Sequence, residues 1–166
     1  MMAHTIDPGV RRPATAIECF PVTDAAMLAE HHRIRCDVFV AEQQLFIGDD
    51  RDLVDDDPST IKVLSSHRGQ YGGTVRLFAL DEAAGHWQGD RLAVLPEFRM
   101  HGLGGPMVRY AVQTAANLGG RVMTAHIQVS NVKFFERLGW HCDGLQETYV
   151  GVPHVPMAIE LSPFVA

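Results

Sequence analysis

A glycine-rich segment concentrates the residues of this chain that could bind a charged group. It reads Arg99-Met100-His101-Gly102-Leu103-Gly104-Gly105. The apolar run before it, Arg91-Leu92-Ala93-Val94-Leu95, predicts a strand, and the apolar-periodic run after it predicts a helix. Glycines let consecutive backbone N–H groups point into one concavity, and the partly positive end of the helix faces the same place. The segment is therefore predicted to bind a pyrophosphate.

Other phosphate-binding motifs fit this segment less well. A Walker loop needs Lys and then Ser or Thr after its second glycine, whereas Gly104 is followed by Gly105 and Pro106. A dinucleotide-binding fingerprint needs a third glycine where Met107 stands, and an acidic residue about 20 positions further on, where the chain has Arg121-Val122-Met123. A glycine-rich turn without a ligand stays open as the alternative.

Two further segments, together with this one, resemble a known family. The R-x-x-G-x-G pattern from Arg99 resembles the acyl-CoA loop of the GNAT acetyltransferase superfamily. Its Q-x-x-A-x-x-F-Y-x-x-x-G-F signature is similar to Gln128-Val129-Ser130-Asn131-Val132-Lys133-Phe134-Phe135-Glu136-Arg137-Leu138-Gly139-Trp140. Upstream, Arg35-Cys36-Asp37-Val38-Phe39-Val40-Ala41-Glu42-Gln43 resembles the opening of the ElaA-like branch, which also has an aspartate-rich segment and a Pro-His, here Pro153-His154.

The resemblance implies one GNAT domain over residues 15–166, preceded by a flexible N-terminus over residues 1–14. The fold class is α/β in the wider sense that includes α+β: a single mixed, mostly antiparallel sheet of six to seven strands, flanked by about four helices. The length of 166 residues, 46% of them apolar, suits one buried core.

The periodicity of the chain predicts individual elements of this fold. A first strand runs from Ile17 to Pro21, and a helix capped by Thr23 or Asp24 extends to about Val40. Two strands, Ile61–Leu64 and Thr74–Phe78, form an antiparallel hairpin joined through Gly69, Gly72 and Gly73, and residues 81–90 form a loop. Six aspartates between positions 49 and 57 predict a solvated loop. Strands before and after the crossover helix are predicted to pair in parallel.

Composition excludes several classes of partner. A net charge of −6 argues against nucleic acid, because nucleic-acid-binding proteins present a basic face. The first 13 residues contain no apolar run, so neither a secretory signal nor a membrane helix is expected. Three widely spaced cysteines favour the cytoplasm. The nine histidines have no metal-ligand spacing, so no metal is expected.

The resemblance implies transfer of an acetyl group from acetyl-CoA to the primary amine of a small molecule or peptide, by direct attack within a ternary complex. In such folds the strand before the phosphate loop parts from its neighbour and binds pantetheine, and the Val94 N–H is the expected oxyanion donor. The expected coenzyme-binding residues are Leu92, Ala93, Val94, Arg99, Met100, His101, Gly102, Leu103, Gly104, Gly105, Gln128, Asn131 and Phe135. The alternative for Asn131 is a helix N-cap.

The acceptor amine needs a base, because an alkylammonium has no lone pair at neutral pH. Glu42 and His154 are the first candidates by their motif matches, and Glu147, Tyr149 and His126 are further ones. Phe135 departs from the family, which commonly has a tyrosine there that protonates the departing thiolate. The aspartate cluster would favour a cationic amine electrostatically.

Two rival functions stay open. The segment Gly73-Thr74-Val75-Arg76-Leu77 resembles a strand of the acyl-homoserine-lactone synthases, but the Arg99 loop argues against them, since those synthases use carrier-protein donors. Phe135 raises the alternative of a non-catalytic acyl-CoA-binding protein. Assembly as a homodimer is also open.

Overall fold

Eight strands form one sheet in the computed structural model, which describes residues 16–165. Their spatial order is β1-β2-β3-β4-β5-β8-β6, and β7 also pairs with β8. The expected flexible N-terminus, residues 1–14, lies outside the described residues. The strands are β1 (Ile17–Pro21), β2 (Ile61–His67), β3 (Gln70–Asp81), β4 (His86–Val94), β5 (Val122–Gln128), β6 (His141–Cys142), β7 (Glu147–Tyr149) and β8 (Val152–Glu160).

The pairing confirms the mixed, mostly antiparallel sheet. Only β4 and β5 are parallel within the described part of the chain, and the crossover helix α3 (Gly104–Asn117) connects them. The strand count exceeds the expected six to seven because β6 and β7 have only two and three residues. Elements that short show no alternation that a sequence pattern could reveal.

Three further helices accompany α3: α1 (Ala25–Arg35), α2 (Leu53–Asp56) and α4 (Val132–Arg137). The side chain of Asp24 accepts from the Met27 N–H at 2.8 Å, so it is the cap of α1. The predicted extension to about Val40 is a π-helix, Cys36–Glu42. No helix of residues 16–165 is long and apolar enough to cross a membrane.

The two faces of the sheet are covered by different helices. Leu92 and Val94 pack on the side of α3, whereas Ala93 and Leu95 pack with Ile34 of α1. This alternation along β4 places α3 and α1 on opposite faces. We call these the α3 face and the α1 face.

Two predictions about loops are wrong. The predicted loop over residues 81–90 is a turn of only Glu82–Gly85, because β4 already begins at His86 and buries every second residue. Gly72 and Gly73 belong to β3 rather than to the hairpin turn. A Cβ at Gly73 would lie 2.6 Å from the Met107 methyl group, so these glycines make room for packing rather than for a turn.

The prediction of a solvated aspartate loop is also wrong for part of its length. The buried Asp50 accepts from Arg35 Nε at 2.7 Å and from Arg91 Nε at 3.0 Å. Asp55 pairs with Arg35 at 2.7 Å and with Arg76 at 3.0 Å. Burial raises the pKa of the Asp55 carboxyl, but hydrogen bonds and charge from the arginines outweigh it, so the pKa is lowered. The arginine partners lie on α1, β3 and β4. The density of aspartates along the sequence does not reveal contacts with such distant elements.

Candidate active site

A gap between β4 and β5 forms the centre of the site. The two strands pair only from His86 to Gln88 of β4, although β4 continues to Val94 and β5 to Gln128. Between Asp90 and Ala93, β4 has one residue more than β3, and Arg91 in this bulge has a φ of 51°. Bulges bend and twist a strand locally. The bulge therefore lies just beyond the point where β4 stops pairing with β5, a separation that the family resemblance implies for this strand.

A cavity of about 130 Å³ occupies the gap. Its lining includes Val108 and Phe135 from the α3 face, and Phe39 and Phe46 from the α1 face. The cavity therefore reaches through the sheet, so that molecules bound on the two faces could meet within it.

The main chain of Val94 faces this gap. The Leu95 N–H donates to the Gly72 carbonyl at 2.9 Å, so Leu95 directs its polar groups towards β3. Successive residues of an antiparallel strand direct them to alternate sides, which turns the Val94 N–H away from β3. The Val94 carbonyl accepts from Arg99 Nε at 3.1 Å.

The glycine turn lies where β4 leads into α3. Gly102 has a φ of 74°, in the left-handed region that favours glycine. Leu103 occupies the N-cap without a side-chain cap, so the first N–H groups of α3 keep their hydrogen-bonding capacity. A Cβ on Gly104 would lie 3.3 Å from the Phe134 ring. The turn thus presents main-chain donors at the end of the gap.

Arg109 of α3 lies beside this turn, and the sequence did not indicate it as a site residue. Its guanidinium lies 3.5 Å from the position that a Cβ on Gly105 would occupy, and its side chain is exposed. The spacing of four residues from Gly105 on a predicted helix could have indicated it. It adds a positive charge next to the main-chain donors.

Arg99 and Glu42, predicted for coenzyme binding and for catalysis, contact each other. Arg99 Nη1 donates to Glu42 Oε2 at 2.7 Å, and Nη2 donates to Oε1. These hydrogen bonds lower the pKa of the Glu42 carboxyl. Both edges of the Arg99 guanidinium are thereby engaged, one with this carboxylate and one with the Val94 carbonyl.

The side chains of His101 and Met100, also predicted for coenzyme binding, lie in the same turn. The His101 ring stacks on the His67 ring with centroids 4.0 Å apart. Met100 is 96% exposed.

Four of the five predicted base candidates lie together at the β5–β8 side of the gap. The buried His154 has its Nδ1 2.8 Å from the Val152 carbonyl, which can only accept, so Nε2 is the unprotonated nitrogen of the neutral ring. The Tyr149 ring meets the His154 ring edge-on at 5.3 Å and stacks on His126 at 4.9 Å. His126 Nδ1 is hydrogen-bonded to Glu147.

Of the remaining predicted residues, Leu92, Gln128, Asn131 and Phe135 line the cavity, whereas Ala93 packs in the cluster on the α1 face. Gln128 Nε2 donates to Gln43 Oε1 at 3.2 Å, which connects β5 to the end of the π-helix. Asn131 occupies the N-cap position of α4 without a side-chain capping bond, so capping does not explain it. Phe135 meets the Trp140 ring edge-on at 5.4 Å. The buried Trp140 Nε1 has no hydrogen-bond partner among the described residues, a feature the sequence did not indicate.

Comparison with known proteins identifies similar sequences. The family model described as "Acetyltransferase (GNAT) family" matches residues 26–140. The chain is 28% identical over 142 residues to YyaT of Bacillus subtilis (strain 168), an uncharacterised protein, and the match covers 85% of this chain and 94% of YyaT.

Solved structures with a similar fold include ElaA of Escherichia coli, with a TM-score of 0.75 and 20% identity, covering 86% of this chain and 98% of ElaA. They also include a spermidine N-acetyltransferase from Vibrio cholerae in complex with CoA and spermine, with a TM-score of 0.73 and 13% identity. This match covers 90% of the present chain and 98% of the Vibrio cholerae chain. Together with the family match, these likenesses confirm the GNAT fold expected from the sequence. Among residues 16–165, no group of three or more His, Cys, Asp or Glu side chains could hold a metal.

Proposed function

Because the chain belongs to the GNAT family of acetyltransferases, we propose that it transfers an acetyl group from acetyl-CoA to a primary amine of a small molecule or peptide. The observation that supports this most is the gap between β4 and β5. Leu92 of β4 and His154 of β8 line the cavity in this gap, Val94 follows Leu92 on β4, and the glycine turn lies between β4 and α3. The donor would reach the gap from the α3 face and the acceptor from the α1 face.

The glycine turn is proposed to hold the coenzyme. The N–H groups of Gly102, Leu103, Gly104 and Gly105, at the positive end of α3, suit a diphosphate. Arg109 supplies a nearby cation. The pantetheine arm would then follow the main chain of Leu92, Ala93 and Val94, with Gln128 and Asn131 as partners for its amide groups.

The chemistry proposed is direct attack of the amine nitrogen on the thioester carbonyl. The carbonyl oxygen becomes negative as the nitrogen–carbon bond forms, and the Val94 N–H would stabilise it by several kcal/mol in a site shielded from water. The carbon–sulfur bond then breaks and the thiolate leaves. Phe135 has no proton to give, so the proton would come from water or from the Tyr149 hydroxyl. A thiolate of pKa roughly 8–9 is a competent leaving group in either case.

His154 is the preferred base within this proposal. Its Nε2 carries a lone pair when the ring is neutral, because Nδ1 is committed to the Val152 carbonyl. Glu42 is the weaker candidate, since its contact with Arg99 lowers its pKa and with it its proton affinity. In either case the base removes a proton from the acceptor, so that a lone pair becomes available for attack.

The test is release of free thiol from acetyl-CoA across a panel of amines, amino acids and peptides. Replacement of His154 by Gln is expected to lower kcat about 100-fold or more at neutral pH, a typical effect of losing a general base. The loss should shrink as the pH approaches the pKa of the acceptor amine. An unchanged kcat in H154Q would contradict the assignment. Coenzyme A binding without any thiol release would instead support a non-catalytic acyl-CoA-binding protein.

We further propose that the protein acts in the cytoplasm. Cys19, Cys36 and Cys142 are all free thiols, which is typical of a reducing compartment. A thiol titration of the protein purified without reductant tests this, since three reactive groups after denaturation are expected.

A further inference from the structure

The α1 face of the cavity has apolar walls. Phe39, Leu45 and Phe46 line one side of it, and Tyr149 and Val150 line the other. The end of the π-helix fixes the first wall, because the Leu45 N–H donates to the Phe39 carbonyl at 2.8 Å. The polar side chains that line this part of the cavity include His126, Tyr149 and His154. This part of the cavity therefore suits one nitrogen and an apolar body.

The carboxylates around this space already have partners, which are arginines for Asp90, Asp50 and Glu42 and the His126 ring for Glu147. Asp90 lines the cavity, and its Oδ2 lies 2.7 Å from Arg76 Nη2. Asp50 pairs with Arg91, Glu42 with Arg99, and Glu147 with His126. Among the described residues that line the cavity, none offers a second ammonium group a free carboxylate. A diamine would have to desolvate its distal ammonium without a compensating partner, which costs much of its binding.

From these walls and pairings, and resting on the acetyltransferase function proposed above, we propose that the acceptor is a monoamine whose amino group is attached to an apolar or aromatic body. The amino group lies near His154, and the body lies against Phe46. In this proposal the aspartate segment does not attract the amine electrostatically, because Asp50 and Asp55 are buried partners of arginines.

Phe46 is the specificity-determining wall in this proposal, and its position has a structural cause. The Arg91 guanidinium lies over the Phe46 ring, 4.7 Å from its centroid. Arg91 is itself fixed by Asp50, through Nε at 3.0 Å and through Nη2 on the Asp50 carbonyl at 3.0 Å. The outer face of the ring is thus covered by a fixed cation.

The decisive experiment compares n-hexylamine with 1,5-diaminopentane in the thiol-release assay with acetyl-CoA. The two molecules have nearly the same length and differ in whether the far end is a methyl or a second ammonium. We expect kcat/KM to be at least about 100-fold higher for n-hexylamine, because only its far end can be buried without a counterion. An aromatic monoamine such as 2-phenylethylamine should perform at least as well as n-hexylamine. Equal or better turnover of the diamine would overturn the inference.

A pair of variants tests the wall itself. Phe46→Ala is expected to raise the KM for the monoamine about tenfold and to leave the KM for acetyl-CoA within about twofold, since it removes acceptor contacts only. Ile47→Ala is the matched control, because that neighbouring side chain is fully exposed, at 101%. Equal KM values in the two variants would contradict the role of Phe46. Phe46→Leu, which keeps an apolar side chain, should restore most of the affinity.

Two outcomes separate this inference from the function on which it rests. If no amine releases thiol, the proposed acetyltransferase activity fails, whatever the acceptor preference. If amines are acetylated but hexanoyl-CoA is a better donor than acetyl-CoA by tenfold or more, the apolar walls accommodate the acyl chain. In that case the acceptor inference fails while acyltransfer stands.

Discussion

Replacement of Asp50 by Asn should destabilise the protein more than any exposed aspartate change. One oxygen of Asp50 bridges Arg35 at 2.7 Å and Arg91 at 3.0 Å, and the side chains of Asp50, Arg35 and Arg91 are 0%, 0% and 7% exposed. Breaking a buried ion pair from one side costs about 3–5 kcal/mol. Asn keeps one oxygen acceptor, and Arg35 retains Asp55, so the lower end, about 3 kcal/mol, applies.

The assay is thermal unfolding at neutral pH with Asp49→Asn as the matched control. Asp49 undergoes the same chemical change, but its contact with Arg51, at 3.4 Å, is between side chains that are each 56% exposed. Exposed pairs of this kind contribute little. For a chain of this length about 3 kcal/mol corresponds to a fall in Tm of roughly 6–12 °C. A Tm for D50N within about 2 °C of that for D49N, less than about 1 kcal/mol, would refute the reasoning.

Three other outcomes are expected. Gly102→Val should raise the KM for acetyl-CoA about tenfold or more, because it forces a β-branched residue to a φ of 74°. Gly119→Val is the control, since Gly119 has a similar φ of 87° but lies beyond the end of α3. It should destabilise the fold without raising the KM for acetyl-CoA. Glu42→Gln should lower the Kd for coenzyme A several-fold in calorimetry, because it releases Arg99 for the phosphates; a weaker Kd would show that the pair orders the turn instead. Burial and the charge of Arg35 lower the pKa of the His31 imidazole to about 3, below its ordinary value near 6.5. Between these two pH values the unfolded chain binds a proton at His31 and the folded protein does not. Tm should therefore fall as the pH falls below about 6.5. His31→Asn should flatten that slope, and an unchanged slope would exclude His31 as its source.

The sequence predicted the features that depend on short-range patterns. The strand–glycine turn–helix unit around Gly102 and Gly104 and the parallel crossover follow from local rules of backbone conformation and chain connection. The gap between β4 and β5 was expected only through the family resemblance. Nothing in Leu92-Ala93-Val94 as a run of apolar residues indicates that its neighbour pairs elsewhere.

The sequence could not predict which charged side chains meet. Arg35 and Asp55 are 20 positions apart, and Arg76 lies further along the chain. They converge only because α1, the aspartate segment and β3 pack together. The same reason applies to Glu42 and Arg99, which are separated by 57 positions. Motif matching assigned these two residues to different tasks, and tertiary packing placed them in one ion pair.

The buried arginines connect the stability of the fold to the shape of the gap. Arg91 adopts a left-handed backbone conformation in the bulge of β4, which costs a non-glycine residue about 1–3 kcal/mol. Its side chain offsets that cost through Asp50 on one edge and the Phe46 ring on one face. Since the bulge lies where β4 leaves β5, and Phe46 forms a wall of the cavity, one side chain couples strand separation to the shape of the acceptor side. We therefore expect substitutions of Asp50 to alter acceptor kinetics and stability together, although Asp50 does not line the cavity.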